Sequence, residues 1–145
     1  MGKTVKELLR NKTGSVWTIG PQASAYEALQ LMADKDVGAL LVLDQGALVG
    51  IFSERDYARK VNLKGKSAKT TKVGELMTAK VLYISPDKTV DECMALMTDK
   101  HIRHLPVMDA GKLVGIVTIG DVVKSVVASQ KFIIQELGKY IAGAV

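Results

Sequence analysis

Apolar and polar positions along this chain change their period in a fixed order, and the order is run through twice. Val16-Trp-Thr-Ile19 and Val81-Leu-Tyr-Ile84 are short β-rich runs, each stopped by a proline, Pro21 or Pro86, and each predicts a strand. Ala25, Ala28, Leu29 and Met32 then recur at helical spacing, as do Val90, Cys93, Met94 and Met97, with Ser24 and Thr89 placed as N-caps. Each stripe predicts a helix with one buried face. Next come apolar runs at 39–43 and 47–52 around Asp44-Gln-Gly46, and at 104–108 and 112–117 around Asp109-Ala-Gly111, which predict two hairpins. A further helix follows each hairpin, from Arg55 to about Val61 and from Gly120 to about Ala128.

The two passes are one unit repeated. Residues 16–60 align with 81–125 at a constant offset of 65 with no gap, and 17 of these 45 positions are identical, enough to make the second pass a copy of the first. A shorter echo, Val5-Lys-Glu-Leu-Leu9 and Val73-Gly-Glu-Leu-Met77, stands at an offset of 68. The fold class expected is therefore α/β (α+β), two β-α-β-β-α repeats with small mixed sheets packed about a pseudo-two-fold axis, each covering the other's open sheet face. The domain organisation expected is a first repeat with an N-terminal helix at 1–62, a linker at 63–72, a second repeat at 73–128 and a C-terminal helix at 129–145. That last segment sets Ile133, Leu137, Tyr140 and Ile141 on one face, apolar enough to pack on the module or on a second chain.

Composition narrows the function classes. A chain of 145 residues has the size of one compact domain and leaves little room for an enzyme domain beside a regulatory one. The longest apolar run, Val37-Gly-Ala-Leu-Leu-Val-Leu43, is far short of the roughly 20 residues that span a bilayer, and the first residues carry no signal-peptide core, so a cytoplasmic protein without a membrane partner is expected. The single cysteine, Cys93, excludes an internal disulfide and reads as a buried thiol; with only His101 and His104 as histidines, no metal site is expected. Met77, Met94, Met97 and Met108 read as core. Much of the net charge of +5 sits in Lys60, Lys64, Lys66, Lys69 and Lys72, around a stretch that reads as a solvated linker rather than a nucleic-acid patch.

The Leu-Val-Gly-Ile strand after an Asp-x-Gly turn, the run Arg103-His-Leu-Pro-Val107, and the steps Ser53-x-x-Asp56 and Thr118-x-x-Asp121 occur in the same order in both copies or at matching places. Together they resemble the CBS domains, a family named for cystathionine β-synthase whose repeats occur in tandem pairs. The resemblance covers nearly the whole chain, and Ser53-Glu-Arg-Asp-Tyr-Ala-Arg-Lys60 with Thr118-Ile-Gly-Asp-Val-Val-Lys124 is similar to stand-alone CBS-pair proteins. It implies a regulatory module binding AMP, ADP, ATP, NAD or S-adenosylmethionine, AMP foremost with NAD or ATP as alternatives. It also implies a homodimer acting on a regulated partner protein.

Ser/Thr-x-x-Asp is first of all a capping box, worth about 1 kcal/mol per helix start with no ligand involved. The resemblance adds that Asp56 and Asp121 accept hydrogen bonds from ribose hydroxyls while Ser53 and Thr118 face sugar or phosphate. It further places Thr18 and Ile19 beside an adenine, turns Arg55 and Arg103 toward phosphates and counts Pro106 among the ligand-binding residues, while His104 reads either as a phosphate contact or as a hydrogen-bonded structural histidine. Trp17 reads as a core or interface aromatic, and Arg103 has Glu54 or Asp99 as alternative partners. No nucleophile with a base, paired carboxylates or phosphate loop is present, so neither catalysis nor a catalytic cofactor is expected. The competing reading is a ligand-free structural or nucleic-acid-binding dimeric scaffold.

Overall fold

A computed structural model describes residues 3–12 and 16–138. In chain order its elements are α1 (Val5–Arg10), β1 (Thr18–Ile19), α2 (Ala25–Lys35), β2 (Ala39–Asp44), β3 (Ala47–Ser53) and α3 (Glu54–Tyr57), which runs on as a π-helical turn, Ala58–Asn62. They continue with α4 (Val73–Leu76), α5 (Val90–Lys100), β4 (His104–Asp109), β5 (Lys112–Thr118) and α6 (Ile119–Gly138). The mixed α+β class and the two repeats follow the sequence pattern. The chain forms two compact units, residues 14–83 and residues 1–13 with 84–145.

The unit of residues 14–83 holds a three-stranded sheet in the order β1-β2-β3, β1 parallel to β2 and β2 antiparallel to β3. Gln45 and Gly46 turn the hairpin with both φ angles positive, 50° and 83°, the conformation that matches the twist of paired strands. Ser24 caps α2 reciprocally with Glu27, and the helix ends on Asp36 in the left-handed region, with Val37 N–H returning to Met32 O at 3.0 Å. Ala25, Ala28 and Met32 thereby face Leu40, Val42 and Phe52, and Val61, Val73 and Leu76 complete a core of fully buried side chains. The π-helical turn departs from the regular helix expected to about Val61; Leu63 N–H reaches back to Ala58 O, and Val61 is fully buried within the widened turn.

In the second unit β4 pairs antiparallel with β5, and Ala110-Gly111 turns the hairpin with φ angles of 50° and 79°. Val90, Cys93 and Met97 of α5 pack with Leu105, Val107, Val117 and Val122, and α1 contributes Val5 and Leu8. The strand expected at 81–84 does not form. Only Ile84 bridges to Val107, because Val81 N–H is spent on Ala79 O in a local turn and Leu82 and Tyr83 stay exposed. Met94, expected in the core, is 37% exposed at the edge of the α5 stripe, and Met77 and Met108 are half-buried. Helix α6 runs unbroken through the boundary expected at 128, since Ala128-Ser-Gln-Lys131 contains no helix breaker. Leu137 is exposed rather than packed on the unit; the side chain of Ile133, and Tyr140 and Ile141, lie outside the described residues.

The units do not coincide with the sequence repeats, because the short helix ahead of each repeat belongs to the unit of the other. Val5 and Lys6 N–H donate to Lys88 and Pro86 O, so α1 is fastened to the start of α5. Val73 and Gly74 N–H donate to Ala23 and Pro21 O, so α4 is fastened to the start of α2. The lysine-rich stretch before α4 keeps Lys64 and Lys66 exposed and is also tied to the unit: Ala68 and Thr71 carbonyls accept from Tyr26 and Ala25 N–H, and Thr71 is buried.

Candidate functional site

Each unit presents one aspartate at the step from its last strand into a helix. In the first, Ser53 N–H and hydroxyl donate to Asp56 Oδ2 at 2.9 and 3.1 Å, and Asp56 N–H donates to Ser53 Oγ at 3.2 Å. In the second, Thr118 N–H donates to Asp121 Oδ2 at 2.9 Å, and Asp121 N–H donates to Thr118 Oγ at 3.1 Å. The capping box anticipated from spacing is thus built in both copies, and both carboxylates are half-buried.

Neither aspartate acts on the cap alone. Lys60 Nζ stands 3.3 Å from Asp56 Oδ1 and donates to Leu76 O at 2.9 Å. Lys12 Nζ stands 2.9 Å from Asp121 Oδ2 and donates to Ile116 O at 2.8 Å. Burial pushes the Asp121 carboxyl up, but the Thr118 backbone N–H and the Lys12 ammonium outweigh it, and the group is held below the ordinary carboxylate value. By sequence, Lys60 is one of the linker charges and Lys12 has no assigned role. The i,i+4 spacing of Asp56 and Lys60 was a usable signal; Lys12 is remote from Asp121 in sequence and had none.

The other candidate residues divide between the units. Thr18 and Ile19 lie half-buried on β1, opposite Leu41 and Val42, in the unit that also holds Ser53, Arg55 and Asp56. Arg55 is exposed on the first turn of α3. In the second unit His104 opens β4 directly opposite Thr118, Pro106 is buried opposite Ile116, and Arg103 is exposed just before the strand. Arg103 O accepts Ile119 N–H at 2.8 Å, which ties the start of the hairpin to the start of α6. His104, Arg103, Lys12, Thr118 and Asp121 therefore form one polar cluster. Burial holds the His104 imidazole below its ordinary value, the Lys12 and Arg103 charges push it the same way, and the Asp121 carboxylate opposes them. Asp99, one alternative partner of Arg103, pairs instead with Lys100 at 3.5 Å. Trp17 packs on the core of its unit with the Lys35 ammonium 4.3 Å from its ring centroid.

Two further features bear on what the site can do. A groove of about 530 Å³ lined by Lys6, Leu9, Arg10, Pro86, Asp87, Asp109 and Val114 lies in the second unit and includes none of the cluster residues. Burial pushes the Cys93 thiol up to about 11, which leaves it protonated and a poor nucleophile at neutral pH. Among the described residues no helix is long and apolar enough to cross a membrane.

Comparison with known proteins supplies the context. The sequence profile of the CBS domain matches residues 5–62 and 73–128. The mitochondrial CBS domain-containing protein CBSX3 of Arabidopsis thaliana is 40% identical over 149 residues, covering 97% of this chain and 72% of the relative. A solved CBS-domain protein from Burkholderia ambifaria MC40-6 superposes with a TM-score of 0.86 at 51% identity, over 88% of this chain and 96% of its own. The hexameric CBS-CP12 protein of bloom-forming cyanobacteria superposes with a TM-score of 0.75 at 29% identity, over 86% and 72% of the two chains.

Proposed function

As the chain belongs to the CBS-domain family and carries a tandem pair, we propose that it is a regulatory module that binds an adenine nucleotide and performs no chemistry of its own. The observation that carries this reading is the repeated presentation of a half-buried aspartate, Asp56 and Asp121, beside a hydroxyl at a strand-to-helix step. Such a carboxylate can accept from both hydroxyls of a ribose, a recognition that a neutral cap would not provide. Thr18, Ile19 and Pro106 would supply the less polar ground for the base. One arginine at each site, Arg55 or Arg103, offers one guanidinium fork and so suits a single phosphate group, which puts AMP ahead of ATP and NAD.

Ligand binding would act by favouring one arrangement of the protein over another, which a partner protein then reads. We further propose that the working form is a homodimer. Helix α6 exposes Ile119, Val123 and Val127, each 37% or more accessible, where the corresponding positions of the first repeat are Glu54, Ala58 and Asn62. Glu54 and Asn62 are polar, so the fold does not require aliphatic residues at 119 and 127, and the hexameric CBS-CP12 relative is an assembly of several chains. The cytoplasm, where thiols stay reduced, is the compartment we assign; the buried lone thiol of Cys93 is compatible with it.

The test is a thermal-shift titration with AMP, ADP, ATP, NAD and S-adenosylmethionine, with GTP and CTP as controls. A ligand at about 100 times its dissociation constant adds roughly 2.7 kcal/mol to the stability of the folded state. A concentration-dependent rise with an adenosyl compound and none with GTP or CTP is expected. No shift with any of them, in protein free of co-purified nucleotide, would leave the family and remove the ligand.

A further inference from the structure

The two site aspartates share a feature that the repetition of the chain does not account for. At the repeat offset of 65 the counterpart of Lys60 is Ser125, and at the offset of 68 the counterpart of Lys12 is Lys80, an exposed residue. Yet Lys60 reaches Asp56 from the helical turn just after it, and Lys12 reaches Asp121 from beyond the end of α1. Two non-equivalent stretches of chain thus bring an ammonium to equivalent carboxylates. Each ammonium is also tethered to a main-chain carbonyl, Leu76 O or Ile116 O, so it is held in place rather than merely nearby.

Capping by itself makes no such demand. Glu27 closes the same reciprocal box with Ser24 at the start of α2, and no ion pair to it is found among the described residues. At the start of α5 the nearest cation to Glu92 is Lys88, 4.0 Å away with both side chains at least half exposed. The Lys12 and Asp121 side chains are 29% and 18% exposed, so their mutual attraction is less screened by water. Lys12 and the Thr118 N–H both engage Oδ2 of Asp121, which fixes the carboxylate rotamer.

We infer that Lys12 and Lys60 are positioning residues for Asp121 and Asp56, each holding its carboxylate in place to accept ribose hydroxyls. Nucleotide affinity at the second repeat therefore depends on a residue that precedes the first repeat's opening strand. The inference rests on the nucleotide-binding reading above.

Calorimetric titrations of AMP and of adenosine into the full chain test it, using wild type, Lys12→Met, Lys12→Arg, Asp121→Asn and the Lys12→Met/Asp121→Asn double variant, with thermal melts confirming that each is folded. Lys12→Met is expected to weaken AMP and adenosine alike at the site that Asp121→Asn removes, by roughly 5- to 20-fold, the scale of one charge-assisted contact. Lys12→Arg should restore most of the loss, and Lys12→Met should add nothing once Asp121 is Asn. Unchanged affinity in Lys12→Met, with wild type binding normally, overturns the inference and leaves the nucleotide reading intact. Loss confined to AMP, persisting in the Asp121→Asn background, also overturns it by making Lys12 a phosphate contact. No binding by wild type removes both.

Discussion

Gly50 and Gly115 occupy the same place in the two hairpins, opposite Val42 and Val107, and replacing each by alanine should have unequal consequences. A Cβ on Gly50 would stand 2.5 Å from Met77 Sδ, 2.8 Å from Met77 Cγ and 3.1 Å from the Thr78 carbonyl oxygen. That carbonyl accepts Ile51 N–H at 3.0 Å, and Thr78 N–H is returned to Ile51 O at 2.9 Å, so moving it away breaks a bridged pair. A Cβ on Gly115 would meet only the end of the Leu9 side chain, at 2.9 and 3.0 Å, which can rotate aside. Overpacking costs about 1–3 kcal/mol, and losing glycine's freedom in the unfolded chain returns about 0.4–1 kcal/mol. Gly50→Ala should therefore destabilise by about 1–2 kcal/mol and lower Tm by roughly 3–8 °C, whereas Gly115→Ala should stay within about 1 kcal/mol of wild type. Urea denaturation followed by circular dichroism reads both. Equal losses in the two variants, or a larger loss at Gly115, would refute the assignment of the cost to the Thr78 backbone.

Perturbations at three other residues have signs that follow from the structure. Ala110 holds φ 50° in its hairpin turn, a conformation that disfavours a side chain by about 1–2 kcal/mol, so Ala110→Gly should raise stability by up to about 1 kcal/mol and Ala110→Val should lower it, measured as melting temperatures. His104 lies below its ordinary value of 6.5 in the folded chain, so as pH falls through 6.5 the unfolded chain takes up the proton first and stability is lost until the folded value is passed. His104→Gln should flatten that part of the stability profile. Asp121 is likewise depressed below 3.8, so its contribution is present above that value and is lost as pH falls through the lower folded value; Asp121→Asn should flatten this acid part and, by removing the carboxylate that opposes the lowering of His104, deepen the loss below pH 6.5. Parallel profiles for wild type and both variants between pH 7.5 and 3 would contradict these assignments.

The hairpins and the long helices were legible because each was written twice with its punctuation: Ser24 and Thr89 cap the helices, and Gly46 and Gly111 turn the strands. The aspartates were legible too, through a spacing that capping and binding share. What stayed hidden depends on long-range partners. Val81-Leu-Tyr-Ile84 has the composition of a strand, but a strand needs a ladder, and only Ile84 finds one. Lys12 looks like any exposed cation until α1 is seen docked on the second repeat. The π-helical turn after α3 leaves no mark in a pattern of apolar residues, since a regular helix would show the same stripe locally.

The exchange of the short helices between repeats also sets an order of events on the ribosome. Residues 14–83 are one uninterrupted stretch and can close their core as soon as they emerge. Helix α1 is synthesised before them, yet Pro86, Lys88 and the rest of its partners follow only after that whole unit has been made. Throughout that interval Val5 and Leu8, buried in the finished protein, have no core to enter. A nascent chain paused just after residue 83 has cleared the ribosome would carry a folded unit with a sticky amphipathic leader. That leader could dock on the open second unit of another copy, a route by which two chains become entangled before either is complete.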